Sequence, residues 1–244
     1  MELLLLSSSR TPAGYFTDYL PAIKAFTAGT RHAVFVPFAA VSLPWPEYAK
    51  RVSEATGLEL RSIDELEDAD LLVVGGGNTF QLLRQCRERR VLDKVRRRVS
   101  EGKARYLGWS AGANLACPTI KTTNDMPIVD PASLEALGLL AFQINPHYLN
   151  FSLPGHHGET RDDRLTEYAR ANPQLPVLGL PEGDWLQVSG ESVELHGACP
   201  AKWFEAEKAP SELRPIASYD AGTWRSVTSS NAAYEDKSHG STRR

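Results

Sequence analysis

The stretch Gly108-Trp109-Ser110-Ala111-Gly112 decides how the rest of the chain is read. It follows an apolar run at 106–109 and precedes Ala113-Asn114-Leu115-Ala116-Cys117, which can form a short helix until Pro118 ends it. A G-x-S-x-G between a strand and a helix describes a tight turn that pushes the serine hydroxyl into the open. The flanking positions are small because side chains there would collide with neighbouring backbone. The helix that begins at the turn aims free N–H groups at a reacting carbonyl, so the Ala111 N–H is placed to stabilise an oxyanion. The same five-residue pattern arises by chance in Gly-rich loops. The strand before it and the helix after it carry the reading.

Outward from this turn, short apolar runs recur at 3–6, 33–38, 71–74, 141–144 and 177–180, bounded by Gly, Pro and Ser. Runs of that kind suit strands buried on both faces. Between them, 46–57, 79–100 and 159–171 read as helices, the second with Leu82, Leu83, Cys86, Val91, Leu92 and Val95 at roughly helical spacing. The alternation predicts an α/β fold, a mostly parallel sheet with helices on both faces and its site beyond the C-terminal ends of the strands. Runs at 185–188 and 192–195, separated by Ser189-Gly190-Glu191, read as an antiparallel hairpin. One domain over 1–230 is expected, followed by a polar, disordered tail at 231–244.

Composition removes several classes of function. With 27 basic and 30 acidic residues there is no strong field to attract nucleic acid or anionic lipid. The hydrophobic share of 42% and charged share of 23% are those of a soluble globular chain. The run at 1–6 has Glu2 where a signal peptide needs basic residues, and the uncharged stretch at 106–120, interrupted by Gly, Ser, Asn and Pro, falls short of a membrane span. Cys86, Cys117 and Cys199, odd in number and far apart, suit reduced, buried thiols in a cytoplasmic protein.

A serine nucleophile needs a base, and the base a carboxylate. Of six histidines, His32, His196 and His239 are poorly placed. His147, after the strand-like Phe142-Gln143-Ile144-Asn145-Pro146, falls on the same rim as Ser110 and is the best placed base. His156 and His157 lie in a Pro-Gly loop without a zinc-site partner pattern, so no metal is expected. Glu182, directly after the run 177–180 and Pro181, falls on the same rim. Asp125, in Thr122-Thr123-Asn124-Asp125-Met126-Pro127, follows the turn's helix and either holds the imidazole or caps a turn. Spacing favours Glu182 and leaves both open. Gly75-Gly76-Gly77-Asn78-Thr79 closes a strand and opens the long helix. It reads as a loop completing an oxyanion hole, as a phosphate cradle lacking the usual lysine, or as a tight turn.

With these segments in hand, the chain resembles the peptidase E family, the α-aspartyl dipeptidases, serine enzymes on a fold related to class I glutamine amidotransferases (flavodoxin-like, three-layer). The resemblance runs through Met1-Glu2-Leu3-Leu4-Leu5-Leu6-Ser7, Gly75-Gly76-Gly77-Asn78-Thr79-Phe80-Gln81-Leu82-Leu83, Gly108 to Asn114, Asn124-Asp125-Met126-Pro127, Ile144-Asn145-Pro146-His147 and Gly158-Glu159-Thr160-Arg161, over roughly residues 1 to 195. It implies Ser110 as nucleophile, His147 as base, and Asp125 or Glu182 as the third member. It also implies Gly76 or Gly77 with Ala111 as oxyanion donors, Asn78 beside the substrate, and Arg161 on the substrate's aspartyl carboxylate. The bland reading of Arg161 is a surface pair with Glu159, Asp162 or Asp163. The implied activity is hydrolysis of Asp-X dipeptides without a cofactor, by a monomer or small homo-oligomer. A glutaminase on the same fold would carry cysteine at the turn. A cyanophycin-type hydrolase of aspartyl polymers and an inactive small-molecule binding module are the alternatives. Beyond about Cys199 no family sequence is recognisable.

Overall fold

The computed structural model describes residues 1–151 and 158–215, together with the backbone of 218–219. His156, His157, His239 and the expected tail at 231–244 lie outside the described residues.

The chain opens with β1 (Glu2–Leu6), in which every leucine is buried: Leu3 and Leu5 face one core cluster, Leu4 and Leu6 another. A small hairpin of β2 (Arg10–Thr11) and β3 (Gly14–Tyr15) leads to α1 (Leu20–Thr27) and then β4 (Ala33–Val36). Helix α2 (Trp45–Thr56) closes on Gly57, whose left-handed conformation (φ 76°) lets its N–H reach the Ser53 carbonyl. After β5 (Leu60–Arg61) and β6 (Leu71–Val74) come α3 (Thr79–Glu88) and α4 (Leu92–Ser100), then β7 (Arg105–Trp109) and α5 (Ala111–Leu115).

The expected single helix over 79–100 is therefore two. Arg90 takes a left-handed φ of 55°, its N–H bonding the Arg87 carbonyl and the Val91 N–H bonding that of Cys86. This is a Schellman ending with arginine where glycine is usual.

The second half supplies β8 (Gln143–Tyr148), α6 (Arg161–Ala171), β9 (Val177–Pro181), the hairpin β10 (Trp185–Ser189) and β11 (Ser192–His196), β12 (Ala201–Phe204), β13 (Ser211–Leu213) and β14 (Ser218–Tyr219). The main sheet has the order β14-β11-β10-β1-β7-β6-β4-β5. Its β1, β7, β6, β4 and β5 are parallel, and the hairpin extends it antiparallel from β1, with Leu5 opposite Leu186. The fold is α/β with a mostly parallel main sheet, as the alternation predicts.

Strands β8 and β9 do not join it. They pair in parallel within a second sheet, β13-β12-β9-β8. One face of that sheet, with Ile144, Leu178 and Leu180, packs into the cluster of Leu3, Leu5 and Val74. The other, with Val177, Tyr148 and Phe204, is covered by Leu165 and Ala169 of α6. The expected helix layer is on this side partly a sheet. On the opposite face of the main sheet Ile23, Phe26 and Val52 of α1 and α2 pack on Leu4, Phe35 and Val73. Among the described residues, no helix is long and apolar enough to cross a membrane. Cys86 and Cys117 are free and buried, and burial pushes both thiols up to about 12; Cys199 is exposed, against expectation.

Candidate active site

Ser110 follows β7 and caps α5 with φ 52° and ψ −112°, a strained conformation for any residue with a β-carbon. The strain is held from both sides. The Ser110 N–H donates to the Leu6 carbonyl at 3.1 Å, and the Asn114 N–H returns to the Ser110 carbonyl at 2.9 Å. Trp109 is fully buried, edge-on to Phe16 with ring centroids 4.9 Å apart. Gly112 is required by contact: a β-carbon there would stand 2.2 Å from the Val74 carbonyl oxygen. The turn can pack on β6 only with glycine at that position.

The Ser110 hydroxyl meets His147. Its Oγ lies 2.8 Å from His147 Nε2, and His147 Nδ1 lies 2.5 Å from Glu182 Oε1. His147 itself has φ 55°. The pairing of β8 with β9 runs through Asn145 opposite Gly179 and resumes at Tyr148 opposite Pro181, so Pro146 and His147 stand against Leu180 alone. Such a bulge re-aims a side chain, here the imidazole toward the main sheet's serine. Glu182 follows the last residue of β9.

Asp125 is placed elsewhere. Its Oδ2 accepts from the Thr79 N–H at 2.7 Å, from the Thr79 hydroxyl at 2.6 Å and from the Thr123 hydroxyl at 3.0 Å. A carboxylate at the N-terminus of α3 is stabilised by the helix dipole, and this one ties that terminus to the loop after α5. Asn78 is its N-cap: Oδ1 accepts from the Gln81 N–H at 3.0 Å while Nδ2 donates to the Met126 carbonyl at 2.9 Å.

The three glycines have separate reasons: a β-carbon on Gly75 would stand 2.8 Å from the Tyr48 hydroxyl oxygen. A β-carbon on Gly76 would stand 3.1 Å from that of Ser110, and Gly77 alone is left-handed, with φ 137°. The Gly76 carbonyl accepts from the Tyr48 hydroxyl at 2.9 Å, and burial raises that phenol's pKa. Among the described residues, the N–H groups of Gly76, Gly77 and Ala111 have no hydrogen-bond acceptor.

A cleft of about 710 Å³ is lined by Ser110, His147, Glu182, Gly76 and Gly77 together with Arg10, Tyr15, Tyr48 and Arg51. Sequence spacing gives no signal for Tyr48, Arg10 or Arg51. Asn78, Asp125 and Arg161 are not among the described residues lining the cleft. Arg161 is half-buried at the start of α6, behind a capping box of Thr160 and Asp163. Its expected partners are engaged elsewhere: Glu159 with Arg164, Asp162 with Lys202 and the Tyr148 hydroxyl, Asp163 with Thr160. Burial, with the charge of Arg164, lowers its pKa. Among the described residues no group of three or more His, Cys, Asp or Glu side chains could hold a metal ion.

The sequence profile of peptidase family S51 matches residues 3–196. The chain belongs to peptidase family S51. Among its relatives, peptidase E of Salmonella arizonae is 49% identical over 208 residues, covering 81% of this chain and 90% of the relative. Peptidase E of Shigella flexneri serotype 5b is 46% identical over 225 residues, covering 87% and 98%. The crystal structure of a peptidase from an acI-B1 actinobacterium shares the fold, with TM-score 0.56 at 15% identity over 88% of this chain and 95% of that one. As an S51 member the chain is a serine-type peptidase, and its substrates are peptides.

Proposed function

We propose that this S51 peptidase hydrolyses dipeptides with an N-terminal aspartate, through an aspartyl ester on Ser110. The observation that carries the mechanism is the unbroken contact from Ser110 Oγ to His147 Nε2 and from His147 Nδ1 to Glu182 Oε1. His147 takes the serine proton as Oγ bonds to the peptide carbonyl carbon, and gives it to the leaving amine as the C–N bond breaks. Water, deprotonated by the same nitrogen, then cleaves the ester. The free N–H groups of Ala111 and of Gly76 or Gly77 receive the oxyanion. Glu182 holds His147 in the tautomer that bears its proton on Nδ1.

The aspartyl preference rests on the kinship with peptidase E; Arg161, a half-buried guanidinium outside the residues that line the cleft, with its acidic neighbours otherwise paired, is the side chain assigned to the carboxylate. A planar fork suits a carboxylate in two-point contact, and a site built for that contact rejects substrates that leave it unpaired. The test is hydrolysis of Asp-Leu, Glu-Leu, Asn-Leu and Ala-Leu without added metal. Asp-Leu is expected to be cleaved and Asn-Leu and Ala-Leu left intact, with Glu-Leu discriminated less sharply than Ala-Leu. Equal cleavage of Asp-Leu and Ala-Leu would refute the aspartyl site.

A further inference from the structure

We propose that Ser7, the residue after β1, is a positioning residue for the array of Ser110, His147 and Glu182. The inference rests on reading those three as the catalytic machinery. Ser7 has no solvent exposure. Its hydroxyl accepts from the His147 N–H at 2.9 Å and donates to the Leu180 carbonyl at 2.8 Å. These two groups stand on opposite sides of the irregularity where β8 and β9 lose register. The hydroxyl thus joins the two strands across their bulge.

The main chain around Ser7 makes two more ties. The Ser7 N–H donates to the Asp184 carbonyl at 3.0 Å, and the Leu6 carbonyl receives the Ser110 N–H at 3.1 Å. Leu6 and Ser7 therefore touch the backbone of the nucleophile, the backbone of the base, and both ends of the segment 180–184 that carries Glu182. The main sheet supplies the serine and the second sheet the imidazole, and this dipeptide is where the two are held in register.

The His147 side chain is 38% exposed, so packing alone does not fix its ring. Its backbone, at φ 55°, occupies a region unfavourable for a residue with a β-carbon and persists only where surrounding bonds over-determine it. The Ser7 bond is one of these. Without it the imidazole can drift while the fold survives, and a displacement of about 1 Å in a reacting group can cost on the order of a hundredfold in rate.

The test compares Ser7→Ala with the wild type on Asp-Leu and follows the low-field proton resonance of the His147 Nδ1–H. The control is Thr27→Val, which removes a similar hydroxyl-to-carbonyl bond (2.8 Å to Ile23) on the far face of the main sheet. We expect kcat to fall about tenfold to a hundredfold in Ser7→Ala with KM within about twofold. The low-field line should shift or broaden, while Thr27→Val keeps both at wild-type values. A kcat within twofold of wild type, an unmoved resonance, or an equal kcat loss in Thr27→Val would overturn the proposal. Should Ser7→Ala not fold, Ser7→Cys, which keeps the shape and weakens both bonds, is read by the same criteria. Failure of the wild type to cleave Asp-Leu would count against the proposed substrate instead, and the resonance would still decide the role of Ser7.

Discussion

The His147 imidazole stands between a hydroxyl 2.8 Å from one nitrogen and a carboxylate 2.5 Å from the other. Glu182→Gln keeps the shape of that carboxylate but can present an amide N–H to Nδ1 and stabilise the wrong tautomer. Because Glu182 is 61% exposed, the expected loss is smaller than for a buried triad acid: a kcat reduction of about tenfold to a thousandfold. Asp125→Asn should leave kcat within about threefold and lower stability by roughly 1 kcal/mol, since it weakens bonds at the start of α3. Steady-state kinetics and urea unfolding of the two variants check both halves. A larger kcat loss in Asp125→Asn would reverse the assignment. Ser110 is legible as a candidate because it follows an apolar strand, and His147 because it stands near the C-terminal end of one, where chain direction alone fixes the rim. Glu182 is legible for the same reason. Asp125 lies in a loop, whose course depends on contacts from Thr79, 46 residues earlier. Ser7 acts through bonds to residues 140 and 173 positions away, which no local pattern encodes.

At the scale of elements, the turn from β7 to α5 depends on close approach to β6. Gly112→Ala places a β-carbon 2.2 Å from the Val74 carbonyl oxygen, a backbone atom of a fully buried strand with little room to move. The expected cost is about 3 kcal/mol or more, with activity lost even where folded protein remains, because relieving the clash tilts the turn that carries Ser110. Unfolding and turnover of the variant measure this; wild-type stability would show that the two elements are not so tightly packed. The turn itself was legible because glycine, serine and the flanking periodicities coincide. The break between α3 and α4 was not, because Arg90 takes the left-handed position without the glycine that would announce it. The strands at 143–148 and 177–181 were legible as strands, but burial on both faces does not say which sheet they join. Here the covering layers are the Leu3 and Leu5 cluster on one side and α6 on the other. Strand β12, only Ala201–Phe204, offers too short an alternation to recognise.

Over the whole molecule, the α/β class followed from the order of apolar runs and helices, whereas the division into two sheets came from long-range packing. One buried group gives the assembled fold a distinct pH response. Asp184 has no solvent exposure. Its Oδ1 receives the Ala198 and Cys199 N–H groups, and its Oδ2 has no partner among the described residues. Burial raises its pKa from 3.8 to about 6, with the two N–H bonds opposing. Between these values the folded chain holds the proton more tightly than the unfolded one, so this group's contribution to stability falls as pH rises through the window. Asp70 and Asp163, whose pKa values are lowered, contribute in the opposite direction. Comparison with Asp184→Asn cancels their share. From about pH 4 to about pH 7 the wild type should lose roughly 1–3 kcal/mol relative to the variant in urea unfolding. Parallel curves would show that Asp184 titrates alike in both states.

An acyl-enzyme on Ser110 requires that loss of its hydroxyl stop turnover. The measurement is turnover of Asp-Leu by the wild type and by Ser110→Ala. A fall in kcat of at least about ten-thousandfold, with the fold intact by circular dichroism, is the predicted result. A variant that retains turnover within about tenfold of the wild type would contradict it.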